Sequence, residues 1–190
     1  MAAVMVGTSD FLMLEEPEIV HELLDFTVCV SAEMFTLLHE NGCDIAFPAE
    51  PVGSGSLISQ EMFEEWVIPS LKKLKEKLPF YKYFYAHVCG ASGNRVAALR
   101  ECGVNVFSVD YLVDFDKAVE AAGEKMVMMG NINPAGTLLT GTPSEVYKEA
   151  CERIKIANGH SHILAPGCDL GADTPLENVK MLSKACKDMA

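Results

Sequence analysis

The chain has 190 residues, of which 49% are hydrophobic and 22% are charged, and its formal net charge is −12. This composition predicts a single domain over residues 1–190, and the acidic balance excludes a nucleic-acid surface, which needs clustered Lys and Arg. No apolar run approaches the roughly 20 residues of a membrane span, and the N-terminal MAAVMVG lacks the basic region of a signal peptide, so we expect a cytoplasmic location without membrane contact.

Helix and strand patterns alternate in the first part of the chain. Residues 16–42 carry apolar residues at helical spacing, with Pro17 in the first turn and Gly42 where a C-cap falls, which predicts a long amphipathic helix. The run CDIAFPAEP, residues 43–51, predicts a short buried strand closed by its prolines. Ser59 is a predicted N-cap for a helix that continues to residue 78.

Four further strand and helix pairs follow. The runs YKYFYAH, NVFSVD, KMVMMGNI and HILAPGC predict strands, and helices are predicted over residues 93–102, 114–122, 143–158 and 175–188. Thr142 and Thr174 each precede a proline, a pattern typical of an N-cap followed by proline at the first helical position. Five such units with strands apolar nearly throughout predict an α/β fold with a parallel sheet covered by helices.

Two architectures contain such repeats, the doubly wound open sheet and the (β/α)₈ barrel. No GxGxxG motif follows the first strand, so a dinucleotide-binding fold has little support. Polar or reactive side chains recur where the predicted strands end: Glu50, His87, Cys89, Asp110, Asn131, Asn133, Cys168 and Asp169. In a barrel all these ends face one mouth, where active sites are built.

His87, Cys89 and Cys168 are residue types that hold zinc in catalytic sites, where three protein ligands leave one position open. His87 and Cys89 lie two residues apart, so both side chains lie on one face if the strand continues, and Cys168 ends the last strand. The competing interpretation is that cysteines are small buried hydrophobes, and we adopt it for the five others. These are Cys29, Cys43, Cys102, Cys151 and Cys186, all expected to be reduced.

Four segments, in order along the chain, carry a family resemblance: GCDIAFPAEPVGSGSLISQEMFEEWVIPSLKKL, HVCGASGNRVAALRECGVNVFSVD, MMGNINPAGTLLTGTPSEV and ILAPGCDLGADTPLENVKML. Together they resemble the C-terminal part of the uroporphyrinogen decarboxylase superfamily. Within it, the closer resemblance is to corrinoid-dependent methyltransferases of the methylcobamide:coenzyme M type, which have an H-x-C pair and a distant Cys as zinc ligands. The decarboxylases proper have His at the position of Cys168 and lack the HVC pair.

The resemblance implies a partial (β/α)₈ TIM-type barrel of about five units in which Zn²⁺ is bound by His87, Cys89 and Cys168. It also implies methyl transfer from a corrinoid, supplied by a partner protein as methylcobalamin, to a thiol such as coenzyme M. Asp110 is the first candidate and Glu50 the second for a carboxylate that occupies the fourth zinc position at rest. For both, a hydrogen-bonded carboxylate at the barrel mouth is the alternative.

The turn GASGN follows the HVC pair and precedes a predicted helix. Its backbone N–H groups, at Gly90, Ser92, Gly93 and Asn94, are candidates for holding the anionic end of a substrate. The alternative is a tight strand-to-helix turn that needs glycine.

A complete barrel needs about 250 residues, so we expect self-association or a partner that covers the exposed sheet edges. Two other functions remain open: a non-catalytic zinc-binding accessory module, and a decarboxylase-like enzyme that acts without metal.

Overall fold

The computed structural model describes residues 1–7 and 16–189. The strands are β1 (Ile45–Ala46), β2 (Tyr83–Val88), β3 (Val106–Val109), β4 (Val127–Ile132) and β5 (His162–Pro166). The helices are α1 (Ala2–Val6), α2 (Pro17–Glu40), α3 (residues 60–77), α4 (Val96–Glu101), α5 (Phe115–Ala122), α6 (Pro143–Ala157) and α7 (Leu176–Met189). Within α3, a π-helical segment over Phe63–Val67 separates Gln60–Met62 from Ile68–Lys77.

The five strands form one parallel sheet in the order β1-β2-β3-β4-β5. Each strand therefore pairs with the next one along the chain, whereas a doubly wound sheet reverses its strand order at a switch point. Strictly sequential parallel order is the arrangement of a β/α barrel, of which this sheet forms part. The register places His87 of β2 opposite Ser108 of β3, and this pairing matters for the site below.

The two faces of the sheet differ in burial. On one face, Phe84, Ala86 and Phe107 are fully or almost fully buried in a core that also contains residues of α3, α4 and α5. On the other face, Tyr85 and His87 are only half-buried. This second face corresponds to the interior of a barrel.

Helix starts follow the cap residues at two of the three predicted positions. The Ser59 hydroxyl accepts a hydrogen bond from the Met62 N–H, and Thr142 forms a capping box with Glu145. The prediction for Thr174 is wrong, because α7 begins at Leu176 and the N–H groups of its first turn bond to the Pro175 carbonyl. Thr174 lies one residue too early, and its buried hydroxyl has no hydrogen-bond partner among the described residues.

The first strand is shorter than its apolar run predicts. β1 has two residues, and beyond it a single bridge joins Ala49 to His87. Pro48 has no N–H to donate, which interrupts the ladder, although its carbonyl accepts a hydrogen bond from the His87 N–H at 3.1 Å. The backbone around Pro48 and Ala49 thereby stays attached to the end of β2.

No helix in residues 1–7 or 16–189 combines the length and the apolar character that crossing a membrane requires.

Candidate metal centre

His87, Cys89 and Cys168 come together at the carboxyl ends of β2 and β5. The three side chains place one donor atom each within 4.8 Å of one another, although Cys168 lies 79 residues after Cys89. β2 supplies His87 directly, Cys89 follows its last residue, and Cys168 follows β5 by two residues. Parallel strands place both tips on the same edge of the sheet, as the sequence predicts.

The donor separations fit a tetrahedral ion. His87 Nε2 lies 3.2 Å from Cys89 Sγ and 3.7 Å from Cys168 Sγ, and the two sulfur atoms are 4.0 Å apart. Tetrahedral zinc with its usual bond lengths has sulfur–sulfur separations of roughly 3.8 Å and sulfur–nitrogen separations of roughly 3.6 Å. One imidazole and two thiols with these separations therefore fit zinc and leave a fourth position open.

Ser108 orients the His87 ring. His87 Nδ1 lies 2.9 Å from the Ser108 carbonyl oxygen and 3.0 Å from its hydroxyl oxygen. With the Nδ1 hydrogen donated to the carbonyl, Nε2 keeps its lone pair and faces the two sulfur atoms. Ser108 could not be predicted from the sequence, because its contact with His87 depends on the register between β2 and β3.

The electrostatics of the cluster favour a bound cation. Burial raises the pKa of the Cys89 thiol to about 11, and the neighbouring Cys168 thiol and the carboxylates of Asp110 and Asp169 act in the same direction. A thiolate at Cys89 therefore needs a compensating positive charge. A divalent metal ion between the sulfur atoms supplies that charge.

The two carboxylates proposed for the fourth position lie outside the three-residue cluster. Asp110 is 3% exposed, and its side chain accepts a hydrogen bond of 2.9 Å from the Leu112 N–H, yet it lies near enough to influence the Cys89 thiol. Glu50 lines a separate cavity beside α2 and α3, where burial raises the pKa of its carboxyl group. Asp110 thus acts on the Cys89 thiol while Glu50 lines another cavity, and a carboxylate at the fourth position stays a prediction.

The glycine-rich turn is packed against the protein at Gly90 and Ser92 and is open at Gly93 and Asn94. The Ser92 side chain is fully buried and its hydroxyl donates to the Val88 carbonyl, while the Ser92 N–H donates to the Gly90 carbonyl. Gly90 has a φ of +68°, and a Cβ there would lie 2.5 Å from Ser54 Oγ. The turn thus needs glycine for its conformation and for the close approach of residue 54. Gly93 and Asn94 are exposed.

A cavity of about 380 Å³ adjoins the candidate ligands. Its apolar wall is formed by Phe47, Ala49, Pro51, Met129 and Pro166, and Asp169 supplies its charged side chain. A substrate in this space contacts the three donor residues directly.

The other five cysteines divide by exposure. Cys102 is buried and Cys151 is half-buried, as expected of small apolar side chains, but Cys29, Cys43 and Cys186 are exposed. The expectation of burial is wrong for these three. Cys29 and Cys186 lie on the exposed sides of α2 and α7, and Cys43 lies in the loop before β1. All seven thiols are free.

Fold and site together define a class: a protein with part of a β/α barrel, in which one His and two Cys side chains that could hold a metal ion meet at the carboxyl ends of the strands. Residues 1–189 match the family model described as Uroporphyrinogen decarboxylase (URO-D). The chain therefore belongs to the uroporphyrinogen decarboxylase family.

Within this family the chain is similar to methyltransferases. The methylcobamide:CoM methyltransferase MtbA of Methanosarcina acetivorans is 30% identical over 172 residues, which cover 90% of this chain and 50% of that protein. A methylated-thiol–coenzyme M methyltransferase of Methanosarcina mazei is 28% identical, over 91% of this chain and 46% of that protein. The chain thus spans about half the length of the curated relatives it matches.

A solved structure confirms the fold class predicted from the sequence. A methyltransferase from Methanosarcina mazei superposes with a TM-score of 0.90 at 27% identity, covering 99% of this chain and 55% of the other. The described strands and helices therefore correspond to part of a TIM-barrel-like methyltransferase.

Proposed function

We propose that this chain carries the zinc-binding part of a corrinoid-dependent methyltransferase, which moves a methyl group from a methylated corrinoid protein to a thiol such as coenzyme M. The observation that carries the proposal is the cluster of His87, Cys89 and Cys168 with tetrahedral donor separations. Similarity to methylcobamide:CoM methyltransferases supports the substrate class.

The three side chains are the proposed zinc ligands, with Ser108 holding His87 in orientation. Zinc bound here would deprotonate a coordinated thiol yet leave it nucleophilic, since two thiolate ligands cancel the charge of the ion. Phe47 and Met129, in the cavity wall, would supply apolar contacts to the acceptor thiol. Asp110 is the proposed carboxylate that occupies the open position when substrate is absent, once it releases the Leu112 N–H.

In the proposed reaction the acceptor sulfur forms a bond to the methyl carbon as the carbon–cobalt bond breaks. The electron pair of that bond stays on cobalt, which goes from Co(III) to Co(I), and the thiol proton passes to solvent. The corrinoid is a substrate carried by a partner protein, so the cavity beside the ligands needs to admit it from the barrel mouth.

We propose further that full activity needs the remaining barrel units, supplied by a partner segment or by self-association. Ile45, Phe47 and Tyr83, at one side of the sheet, are each more than 40% exposed, and Ile163 on β5 is 38% exposed. These exposed side chains, together with the outer edges of β1 and β5, which pair with no other strand among the described residues, support a covering element. The proposed location is the cytoplasm, where the thiols stay reduced.

Elemental analysis of the purified chain and a transfer assay with methylcobalamin and coenzyme M test the proposal. We expect close to one zinc per chain, with coenzyme M methylation that Cys89→Ala and Cys168→Ala abolish. A chain that binds zinc but does not methylate coenzyme M, even after the missing half of a relative's barrel is added as a separate polypeptide, favours the non-catalytic accessory module. Well-folded protein without zinc excludes the proposal and leaves the metal-independent decarboxylase-like enzyme.

A further inference from the structure

Arg95 is buried, and among the described residues its guanidinium bonds to no carboxylate, although Glu61 and Glu64 lie near enough to act on its charge. Its side chain is 0% exposed, and its guanidinium donates to four uncharged oxygens: the carbonyls of Gly53, Ile58 and Ser59 and the side-chain carbonyl of Gln60. The ring of Phe63 lies 4.7 Å from Arg95 Cζ. A buried charge held by uncharged oxygens is costly unless the arrangement it fixes is needed.

Three of the four acceptors lie at the two ends of one loop, and the fourth, Gln60, is the first residue of α3 after it. We call residues 53–59 the cover loop. Arg95 bonds to Gly53 where this loop begins, and to Ile58 and Ser59 where it ends. The planar guanidinium, with donors that point in fixed directions, holds the two ends of the cover loop at a fixed separation. The ammonium group of a lysine, a single point of charge, cannot do this.

The middle of the cover loop lies on the turn that follows Cys89. A Cβ on Gly55 would clash with the Ala91 carbonyl oxygen, so the two backbones are in direct contact. Ser54 is 3% exposed, and its hydroxyl lies against Gly90, the residue immediately after Cys89. The position of the Cys89 backbone therefore depends on the cover loop.

From these contacts we infer that Arg95 is a positioning residue for the metal centre: it fixes the cover loop, which sets the backbone of Gly90 and hence the place of Cys89 Sγ relative to His87 and Cys168. Arg95 touches neither the donor atoms nor the cavity beside them. The inference rests on the proposed zinc site, whose existence the wild-type chain tests separately.

Arg95→Met removes all four hydrogen bonds, and Arg95→Lys restores a charge with fewer of them. Arg100→Met is the matched control, because Arg100 lies on α4, the helix that begins directly after Arg95, and donates to the Ala121 carbonyl at 2.7 Å, remote from the cover loop. Gly55→Ala is the second test, since it pushes the cover loop off the turn while leaving Arg95 in place.

Zinc affinity is measured by competition with a chromophoric chelator, and ligand geometry by the visible absorption of the Co(II)-loaded chain. We expect Arg95→Met and Gly55→Ala to weaken zinc binding about tenfold or more and to shift the Co(II) bands. Arg95→Lys should recover part of the affinity, and Arg100→Met should match the wild type. Circular dichroism establishes which variants are folded.

Wild-type affinity and Co(II) bands in folded Arg95→Met would overturn the inference, as would an equal loss in Arg100→Met. If Arg95→Met does not fold, Gly55→Ala and Arg95→Lys decide in the same way. A wild-type chain that binds no zinc refutes the proposed function instead, so the two failures are distinguishable.

Discussion

Loss of the metal is expected to lower the melting temperature of the chain by several degrees. Cys89 and Cys168 come from the second and fifth units, 79 residues apart, so a bound ion joins parts of the sheet that are not neighbours. Zinc that binds the folded but not the unfolded chain, at a free concentration of 100 times Kd, stabilises it by about 2.7 kcal/mol. For a chain of this size that corresponds to a shift of about 5 to 11 °C.

The assay is thermal unfolding followed by circular dichroism, in buffered zinc and in chelator. The wild type should show the shift, whereas Cys89→Ala and Cys168→Ala should melt at one temperature in both buffers. Cys43→Ala is the control, because this thiol is exposed and lies outside the cluster. It should keep the full zinc-dependent shift.

Two results refute this reasoning. A wild-type melting temperature that is the same in zinc and in chelator means that no ion links the two units. A full shift that survives in both Cys89→Ala and Cys168→Ala means that the stabilising ion binds elsewhere.

Three further outcomes are expected. Phe107→Ala removes a fully buried ring from the central strand and should lower the free energy of unfolding, measured in urea, by about 3 to 5 kcal/mol. Phe26→Ala, at an exposed position, should lower it by about 0.5 kcal/mol or less. Equal losses in the two variants would contradict the described core. Thr142→Ala removes the capping box with Glu145 and should lower the free energy of unfolding by about 1 kcal/mol, with a loss near zero counting against the cap. Burial lowers the pKa of His162, so the unfolded chain binds the proton first and stability should fall as the pH drops below about 6.5. In His162→Gln the free energy of unfolding should change less with pH in this range. If it changes as much as in the wild type, other titrating groups cause the loss of stability.

The alternation of strands and helices could be predicted because its signals are local. Apolar runs mark the strands, and Thr142 followed by Pro143 marks a helix start that the structure reproduces. The convergence of His87, Cys89 and Cys168 followed from one general rule, that parallel strands of a barrel share a mouth.

What the sequence did not reveal depends on contacts between distant residues. Ser108 supports His87 only because the register pairs these two residues. Arg95 finds its acceptors 35 to 42 residues away, and no local pattern distinguishes it from a solvent-exposed helix arginine. Glu50 ends a predicted strand, yet the early end of β1 and the turn at Pro51 place it beside another cavity.

The sequential order of the strands makes this architecture divisible. Since each strand pairs with the next one along the chain, a cut between two units severs one connection, and neither piece has to be threaded through the other. In a sheet whose order reverses, a cut within either half leaves a strand of one piece between strands of the other. A barrel can therefore be assembled from two polypeptides, or joined from them by gene fusion, and a division before β1 would leave His87, Cys89 and Cys168 together in one piece.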